Sequence, residues 1–345
     1  MSAPRPRADL LVVGQGLAGT CLAWELERAG IPFEIVDAGH GPAASLAAAG
    51  IINPITGRRL VKSWRIDALR PAARAFYQEL ESVLGVPLWR DLRVRRQFAD
   101  ERERRVLAEK RAKGELAPFA GADLASGDGF WIEDAARVDL PGLLAAARAR
   151  WLASGHLRSA TSSSLATETE RYDLVIDCRG LAGAREEAFS FVPWEFSKGE
   201  MLEIAVTGLA PDEIINGGHW ILPVAEGLAW VGATHQPGVV QPSTTSEGRA
   251  ALEASARTLL GGKEFAVTGH RAGVRVNLPD KHPAAGRHPL QARFGVINGL
   301  GAKGALHAPA LARQWVNHVT EGVPFDAEVE VGRFFGRSAA QASSR

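Results

Sequence analysis

A glycine-rich turn between an apolar strand and a helix constrains the fold of this chain more than any other feature. The segment VVGQGLAG carries Gly14, Gly16 and Gly19, and it overlaps the short apolar run Leu10–Val13. Apolar residues then recur at helical spacing until Gly30. A fully apolar strand is typical of a parallel sheet that is buried on both faces. The order strand, turn and helix therefore predicts the βαβ unit of a dinucleotide-binding domain.

An acidic residue at the end of the next strand completes this pattern. The second strand, FEIVD, ends at Asp37, 18 residues beyond Gly19. An acid at this place accepts hydrogen bonds from a ribose diol and disfavours the 2′-phosphate of NADP. The glycines let the backbone approach a pyrophosphate, to which the helix N-terminus offers its N–H groups. The residues predicted to bind the dinucleotide are Gly14, Gly16, Leu17, Ala18, Gly19 and Asp37.

The bulk composition narrows the class of protein. The 345 residues suffice for one large domain or two ordinary ones, and a formal net charge of +1 gives the whole chain no attraction to nucleic acid. No apolar run approaches the ~18–20 residues of a membrane span, and the apolar stretch near the N-terminus is too short for a signal peptide. Cys21 and Cys178 lie in apolar contexts, as buried thiols do in a reducing compartment. We expect a soluble cytoplasmic protein.

The second half of the chain combines strand patterns with a further glycine turn. The segment YDLVIDCRGLAG predicts a buried strand that ends in a turn at Gly180. The alternation between residues 198 and 237 is typical of an antiparallel sheet with one exposed face. Near the C-terminus, INGLGAKGALHAP places Gly299, Gly301 and Gly304 before a helix. Such a turn can cradle an anion or the polar edge of a ring.

Four segments, taken in order, resemble one superfamily of flavoenzymes. They are VVGQGLAG with Asp37, then SLAAAGIINP, then YDLVIDCRGLAG, and finally HRAGVRVNLPDKHPAAGRHP followed by VINGLGAKGALHAP. Together they resemble the FAD-dependent D-amino-acid oxidase superfamily over about residues 8–320. That group includes glycine oxidase, sarcosine oxidase and the C-terminal oxidase domain of a bifunctional tRNA 5-methylaminomethyl-2-thiouridine biosynthesis enzyme. The match is specific for the superfamily and not for one member.

The resemblance implies an α/β fold, α+β overall, with two domains. A Rossmann-like FAD-binding domain, discontinuous in sequence, is expected from residues 1–85, 135–192 and 266–335. A substrate domain built on an antiparallel sheet is expected from residues 86–134 and 193–265. The tail, residues 336–345, is predicted to be disordered.

The resemblance also implies where FAD binds. The segment with Ser45, Ala49 and Gly50 would cross the flavin, and Gly180 would lie by the adenosine half. The last glycine turn would face the pyrimidine edge of the flavin with Gly299, Leu300, Gly301, Ala302, Lys303 and Gly304. The positive end of the following helix would favour the negative charge of the reduced flavin. The cysteine to which sarcosine oxidase attaches its flavin has no counterpart here, so FAD is expected to bind non-covalently.

Three further residues are candidates for catalysis or substrate binding. Arg275 matches the arginine that binds the substrate carboxylate in glycine oxidase-like enzymes, and the alternative is a structural ion pair with an acid such as Asp280. Lys303 could contact the flavin, the substrate or dioxygen, or simply face solvent. Trp220 falls where relatives place a tyrosine over the substrate, and its alternative role is core packing. No metal-ligand cluster is recognisable, so no metal site is expected.

The resemblance implies an oxidoreductase acting on an amine or amino acid. A hydride passes from Cα to flavin N5, the imine is hydrolysed, and oxygen or another acceptor reoxidises the flavin. One alternative is a tRNA side-chain-modifying oxidase, whose RNA footprint would be residues 90–113, with ten basic and five acidic residues. The structural alternative for that stretch is a solvent-exposed helix face with ion pairs. A 2-hydroxy-acid dehydrogenase with a histidine base and a non-catalytic flavin-binding subunit are also compatible with the same fold.

Overall fold

Two sheets organise the described part of the chain. The computed structural model describes residues 10–39, 43–160 and 171–336, and the predicted disorder of residues 337–345 lies outside these ranges. The strands are β1 Leu10–Val13, β2 Phe33–Asp37, β3 Ile51–Ile52, β4 Ile55–Thr56, β5 Val61–Lys62, β6 Trp89–Gln97, β7 Ala120–Asp123, β8 Gly129–Val138, β9 Leu157–Ser159, β10 Leu174–Asp177, β11 Glu195–Ala205, β12 Glu213–Gly217, β13 His219–Ala225, β14 Leu228–Gly232, β15 Gln236–Pro237, β16 Ala266–Asn277, β17 Ala284–Arg287 and β18 Phe294–Asn298. The helices are α1 Leu17–Arg28, α2 Ile66–Leu84, α3 Glu101–Ala112, α4 Leu140–Ser154, α5 Ser246–Leu259 and α6 Gly304–Glu321.

The first sheet is the parallel one that the glycine turn predicts. Its strand order is β17-β18-β10-β1-β2-β9, and within it only the β17–β18 pair is antiparallel. All four residues of β1 are buried, as expected for a strand covered on both faces. β1 lies between β2, which follows it in the chain, and β10, so the strand order reverses direction at β1. Ligands of open α/β sheets bind at such a switch point, outside the carboxyl ends of the strands.

The second sheet is mainly antiparallel and has ten strands. Its main path is β15-β11-β14-β13-β12-β6-β8-β3, with β16 paired to β11 and β7 paired to β8. One face packs against α5 through an apolar cluster that includes Leu202, Ile221 and Leu252. The other face carries Met201 and Trp230, which belong to the core shared with the first sheet. We call this second face the inner face, because it is turned towards the parallel sheet.

The mixed α/β class is confirmed, and the pairing of two strands, β3 and β16, departs from the predicted domain ranges. β3 lies in the range 1–85 assigned to the FAD-binding domain, yet it pairs with β8 in the ten-stranded sheet. β16 lies in the range 266–335 assigned to the FAD-binding domain, yet it pairs with β11 from Glu195 to Ala205 in the ten-stranded sheet. The mixture of polar and apolar residues in β16 is typical of an antiparallel sheet, whereas the predicted range follows the resemblance. The division into two domains at the stated boundaries stays a prediction.

Two further expectations concern the burial of the cysteines and the presence of a membrane-spanning helix. Cys21 and Cys178 are buried and unpaired. Their burial raises the pKa of each thiol, which keeps both in the neutral form. None of the helices in the described ranges has the length and apolar character needed to cross a membrane.

The packing of α6 on β18 gives a test of the fold. Trp315 on α6 is fully buried, and its indole N–H donates to the carbonyl oxygen of Val296 at 3.2 Å. Its ring occupies the space of a side chain at Gly295, where a Cβ would lie 2.6 Å from Cζ2. We expect Gly295→Ala to lower the free energy of unfolding by about 1–3 kcal/mol, because the core is overpacked. Urea unfolding measures this change.

A second substitution separates this contact from a general effect of alanine in β18. In a Trp315→Phe background the benzo ring that meets the new Cβ is gone, so Gly295→Ala should cost clearly less there. An equal cost in both backgrounds would show that the packing of Trp315 on Gly295 is not what the strand requires.

Candidate active site

A cavity of about 600 Å³ lies between the carboxyl ends of the parallel strands and the inner face of the ten-stranded sheet. Fifteen of the predicted site residues line it, and they come from segments spread over the whole chain. They are Gly14, Gly16, Leu17, Ala18, Asp37, Ser45, Ala49, Gly50, Gly180, Trp220, Arg275, Leu300, Gly301, Ala302 and Gly304. The other three, Gly19, Gly299 and Lys303, are not among the lining residues.

The glycine turn leaves the start of α1 open towards the cavity. A side chain at Gly19 would overlap the carbonyl oxygen of Gly14, so this position needs glycine for packing rather than for ligand contact. Gly16 is the N-cap of α1 and offers no side chain to the first N–H groups. The backbone N–H of Leu17 donates to Ser45 Oγ at 3.2 Å. The remaining N–H groups and the helix dipole suit an anion.

Among the described residues, three donors bind the Asp37 carboxylate. Its Oδ2 accepts from the backbone N–H of Gln15 at 2.8 Å. Its Oδ1 accepts from the N–H of Gly39 at 2.9 Å and from Arg148 Nη1 at 2.8 Å. A carboxylate has about four acceptor positions, so Asp37 can accept one more hydrogen bond, as from a ribose hydroxyl. Arg148 on α4 was not predicted, because nothing in the sequence links it to Asp37.

Small residues bring the backbone of the segment around 43–50 close to both sheets. A side chain at Gly50, whose φ is +73°, would overlap the carbonyl oxygen of Val138. A Cβ at Gly273 on β16 would lie 3.0 Å from that of Ala47. The segment is therefore pressed between β8 and β16, and its alanines form a thin, apolar wall of the cavity.

The last glycine turn is fastened to β16. The N–H of Gly301 donates to the carbonyl oxygen of Val276 at 2.9 Å, and a Cβ on Gly301 would lie 2.8 Å from Asn277 Oδ1. Gly299 faces away from the cavity and packs against Leu278 and Trp194. The turn ends where α6 begins, so the positive end of that helix is directed at the cavity.

Lys303 and His307 lie next to each other on α6 and its N-cap. Among the described residues the Lys303 ammonium has no hydrogen-bond or ion-pair partner, and burial lowers its pKa from the usual 10.5. His307 is 3% exposed, and neither ring nitrogen has a partner within the described ranges. Burial, with the charges of Lys303 and His282, lowers the pKa of His307 to about 3, so its imidazole is neutral.

Arg275 points into the cavity without an acidic partner. Its guanidinium lies over Gly199 of β11, where a Cβ would come within 2.6 Å of Cζ. The guanidinium makes no hydrogen bond or ion pair with any residue that the structure describes, and burial lowers its pKa. The alternative ion pair with Asp280 is wrong, because that carboxylate binds Arg333 at 2.9 Å. Gly199 was not predicted, although the guanidinium needs the space it leaves.

Trp220 combines its two predicted roles. It lines the cavity and also packs against the main core. Its indole lies against Gly232 of the neighbouring strand, where a Cβ would be 2.6 Å from Cζ2. The ring is therefore held flat on the inner face and forms a rigid wall.

Comparison with known proteins places this geometry in a family. The model of the family described as FAD dependent oxidoreductase matches residues 9–317. The chain belongs to that family. The oxidoreductase is 32% identical to the tRNA 5-methylaminomethyl-2-thiouridine biosynthesis bifunctional protein of Maricaulis maris (strain MCS10), over 96% of the chain and 56% of that relative. It thus spans little more than half of that relative's length.

Two further relatives are glycine oxidases. The oxidoreductase is 26% identical to glycine oxidase of Bacillus licheniformis, over 89% of the chain and 91% of that enzyme. The crystal structure of glycine oxidase from Geobacillus kaustophilus superposes with a TM-score of 0.76 at 21% identity, covering 92% of this chain and 96% of that one. These comparisons confirm the predicted superfamily of FAD-dependent oxidoreductases.

Proposed function

We propose that this oxidoreductase binds FAD non-covalently in the cavity and oxidises an amine or amino acid whose carboxylate binds Arg275. The observation that carries this proposal is the guanidinium of Arg275, which is directed into the cavity and has no partner among the described residues. A partly buried cation without a counter-ion is costly unless a ligand supplies the negative charge. Two parallel hydrogen bonds from a guanidinium suit a carboxylate.

The residues present fit FAD. The uncapped start of α1 suits the pyrophosphate, and the free acceptor position of Asp37 suits the ribose. The thin wall of small residues around 43–50 leaves room for a planar ring system. We propose that FAD contacts Gly14, Gly16, Leu17, Ala18, Asp37, Ser45, Ala49, Gly50, Gly180, Leu300, Gly301, Ala302 and Gly304, with Gly19, Gly299 and Lys303 supporting them.

The chain's own residues would bind, orient and polarise the substrate. When bound, FAD supplies the acceptor for the hydride that leaves the amine-bearing carbon. Arg275 would fix the carboxylate, and Trp220 would close the pocket opposite the flavin site. Lys303, at the N-cap of α6, would add a positive charge near the flavin site, where negative charge develops.

The competing functions differ in how well the described residues fit them. A 2-hydroxy-acid dehydrogenase needs a base such as histidine, and no histidine is among the described residues that line the cavity, so we propose an amine substrate. A non-catalytic flavin protein would not need Arg275 directed into the cavity. The tRNA-modifying function is favoured by the 32% identity to the bifunctional relative. Arg102 and Arg105 on α3 are exposed and lack ion-pair partners within the described ranges, which suits an RNA-facing surface.

Substrate pairs that differ by one carboxylate test the role of Arg275. We expect flavin absorbance to bleach on anaerobic addition of glycine, sarcosine, proline or a D-amino acid. In Arg275→Met the KM for the responding amino acid should rise about 10-fold or more, because a hydrogen bond to a charged group contributes ~1.5–3 kcal/mol. The matching amine without a carboxylate, such as pyrrolidine for proline, should be oxidised equally by both proteins. If no amine or amino acid bleaches the flavin, the RNA-linked function takes the place of this proposal.

Gly19→Ala tests the flavin site. The new Cβ would overlap the backbone oxygen of Gly14, which cannot move without opening the turn, so FAD should bind at least about 10-fold more weakly. The ratio of flavin to protein after purification and dilution measures this loss. Ala23→Gly weakens the same helix away from the cavity and should keep its flavin. Equal flavin loss in both variants would point to helix stability and not to the turn.

The charge of Lys303 predicts a pH dependence. Burial lowers the pKa of this lysine below the usual 10.5, so its positive charge is present at low pH and is lost as the pH rises through that lowered value. The rate of flavin reduction should therefore fall on the alkaline side. Lys303→Arg should keep the rate to higher pH, and Lys303→Met should be slow throughout. Identical pH profiles for the wild type and Lys303→Arg would exclude Lys303 as the titrating group.

A further inference from the structure

Two arginines, Arg137 and Arg271, lie over the ring of Trp230 on the inner face, and a third, Arg90, lies beside Arg137. We call Arg90, Arg137, Trp230 and Arg271 the arginine–tryptophan cluster. The guanidinium carbons of Arg137 and Arg271 lie 4.9 Å and 4.6 Å from the centre of the Trp230 ring. Arg90 is the cross-strand neighbour of Arg137 in the β6–β8 pair. The cluster thus joins β6, β8, β14 and β16 across the sheet.

Strand register places this cluster next to the cavity. Met201, which lines the cavity, pairs with both Gly232 and Arg271. Directly paired residues of antiparallel strands project on the same face, and so do residues two apart on one strand. Trp230 is therefore on the face of Met201, about 7 Å along β14 from Gly232. The cluster continues the substrate side of the cavity outward.

The charges of the cluster are not balanced. Arg137 pairs with Asp139 at 2.8 Å, and Arg271 pairs with Glu203. Among the described residues, Arg90 binds only a backbone oxygen, that of Pro223. Three guanidinium groups thus face two carboxylates, which leaves one net positive charge.

Buried donors of the cluster also lack acceptors. Within the described ranges the Nε groups of Arg90 and Arg137 and the indole Nε1 of Trp230 have no hydrogen-bond partner. Trp230 is 6% exposed and Arg137 is 9% exposed. Buried N–H groups without acceptors are destabilising, and three of them together call for an acceptor from a ligand.

We propose that the arginine–tryptophan cluster binds a carboxylate or phosphate at the far end of the substrate. This inference rests on the proposed function and names the class of substrate: an amino acid or secondary amine with a second anionic group. The first anion binds Arg275, and the second reaches the cluster. Arg271 and Arg275 are four residues apart on β16, so their Cα atoms lie on the order of 13 Å apart, and their side chains can reach anionic groups that are closer together than this.

Electrostatics supports an anion at this place. Burial lowers the pKa of both Arg90 and Arg137, and the charge of Arg137 lowers that of Arg90 further. A bound anion would relieve this repulsion, and away from bulk water each charge-assisted hydrogen bond is stronger than a neutral one. Arg90 and Arg271 are only half-buried, which leaves the cluster reachable from solvent.

A matched substrate series tests the proposal. N-hexylglycine, N-(carboxypentyl)glycine and N-(phosphonopentyl)glycine share the glycine carboxylate and differ at the distal group. The holoenzyme should show a lower KM for one or both anionic-tailed compounds than for the hexyl compound, and the better one identifies the distal group. Arg137→Gln and Arg271→Gln should each raise that KM about 10-fold or more, with little change in kcat or in the KM for N-hexylglycine.

Two control variants separate binding from folding. Arg93 also lies over a tryptophan, 4.1 Å from the centre of the Trp131 ring, and pairs with Glu213 in the same sheet. Arg93→Gln should leave all three KM values unchanged. Glu203→Gln removes one negative charge from the cluster and should lower the KM for the anionic-tailed substrate, an effect opposite in sign to that of the arginine variants.

The outcomes distinguish a failure of this inference from a failure of the proposed function. If all three glycines are oxidised and neither the arginine variants nor Glu203→Gln changes their KM values, the distal site is overturned and the amine oxidase stands. If none is oxidised, titration calorimetry measures whether the holoprotein binds glutarate or inorganic phosphate at the cluster. Binding that is lost in Arg137→Gln and in Arg271→Gln supports the site without the proposed substrate, and no binding to the wild type overturns it.

Discussion

The carbonyl oxygen of Gly14 occupies the space that a side chain on Gly19 would need, and this contact fixes how closely α1 approaches the end of β1. It lets α1 begin directly above the end of β1, with its first N–H groups directed into the cavity. The same device recurs where Gly50 meets Val138 and where Gly199 makes room for Arg275. The glycines at these positions thus let neighbouring segments approach closely, and backbone atoms form part of the cavity walls.

The two faces of the ten-stranded sheet differ in whether a buried charge has a counter-ion. On the face covered by α5, Glu200 is fully buried and accepts hydrogen bonds from Thr245 at 2.7 Å and 2.8 Å, with Lys198 at 2.8 Å. On the inner face, Arg275 lacks a counter-ion within the described ranges. Because an uncompensated charge away from water is costly, the inner face is arranged for a ligand and the covered face for stability.

Local pattern and steric rules predicted the parts of the structure that depend on neighbours in sequence. The apolar run Leu10–Val13, the spacing of the glycines and the acid at Asp37 sufficed for the βαβ unit. The second glycine turn was assigned to the same ligand only through the resemblance, since nothing in its own residues states which sheet end it approaches. Its position next to the first turn depends on β18 pairing with β10.

Contacts between distant side chains could not be predicted in this way. Arg148 reaches Asp37 across 111 positions, and Asp280 binds Arg333 and not Arg275. Both choices follow from the relative placement of helices and strands, for which a single sequence holds no signal. For β16 the mixture of polar and apolar residues indicates an antiparallel sheet, but it does not state that the partner is β11.

β16 contacts the last glycine turn and also carries both Arg275 and Arg271. Near its C-terminal end, the carbonyl oxygen of Val276 accepts from the N–H of Gly301 and Arg275 projects from the neighbouring position, while Arg271 lies near the middle of the strand. The spacing between these points is the fixed rise of an extended backbone. The only irregularity in its pairing with β11 falls between Glu203 and Ile204, beyond Arg271. Arg275 and Arg271 are therefore held at fixed distances from the last glycine turn, and a change in these distances would require a new bulge within β16.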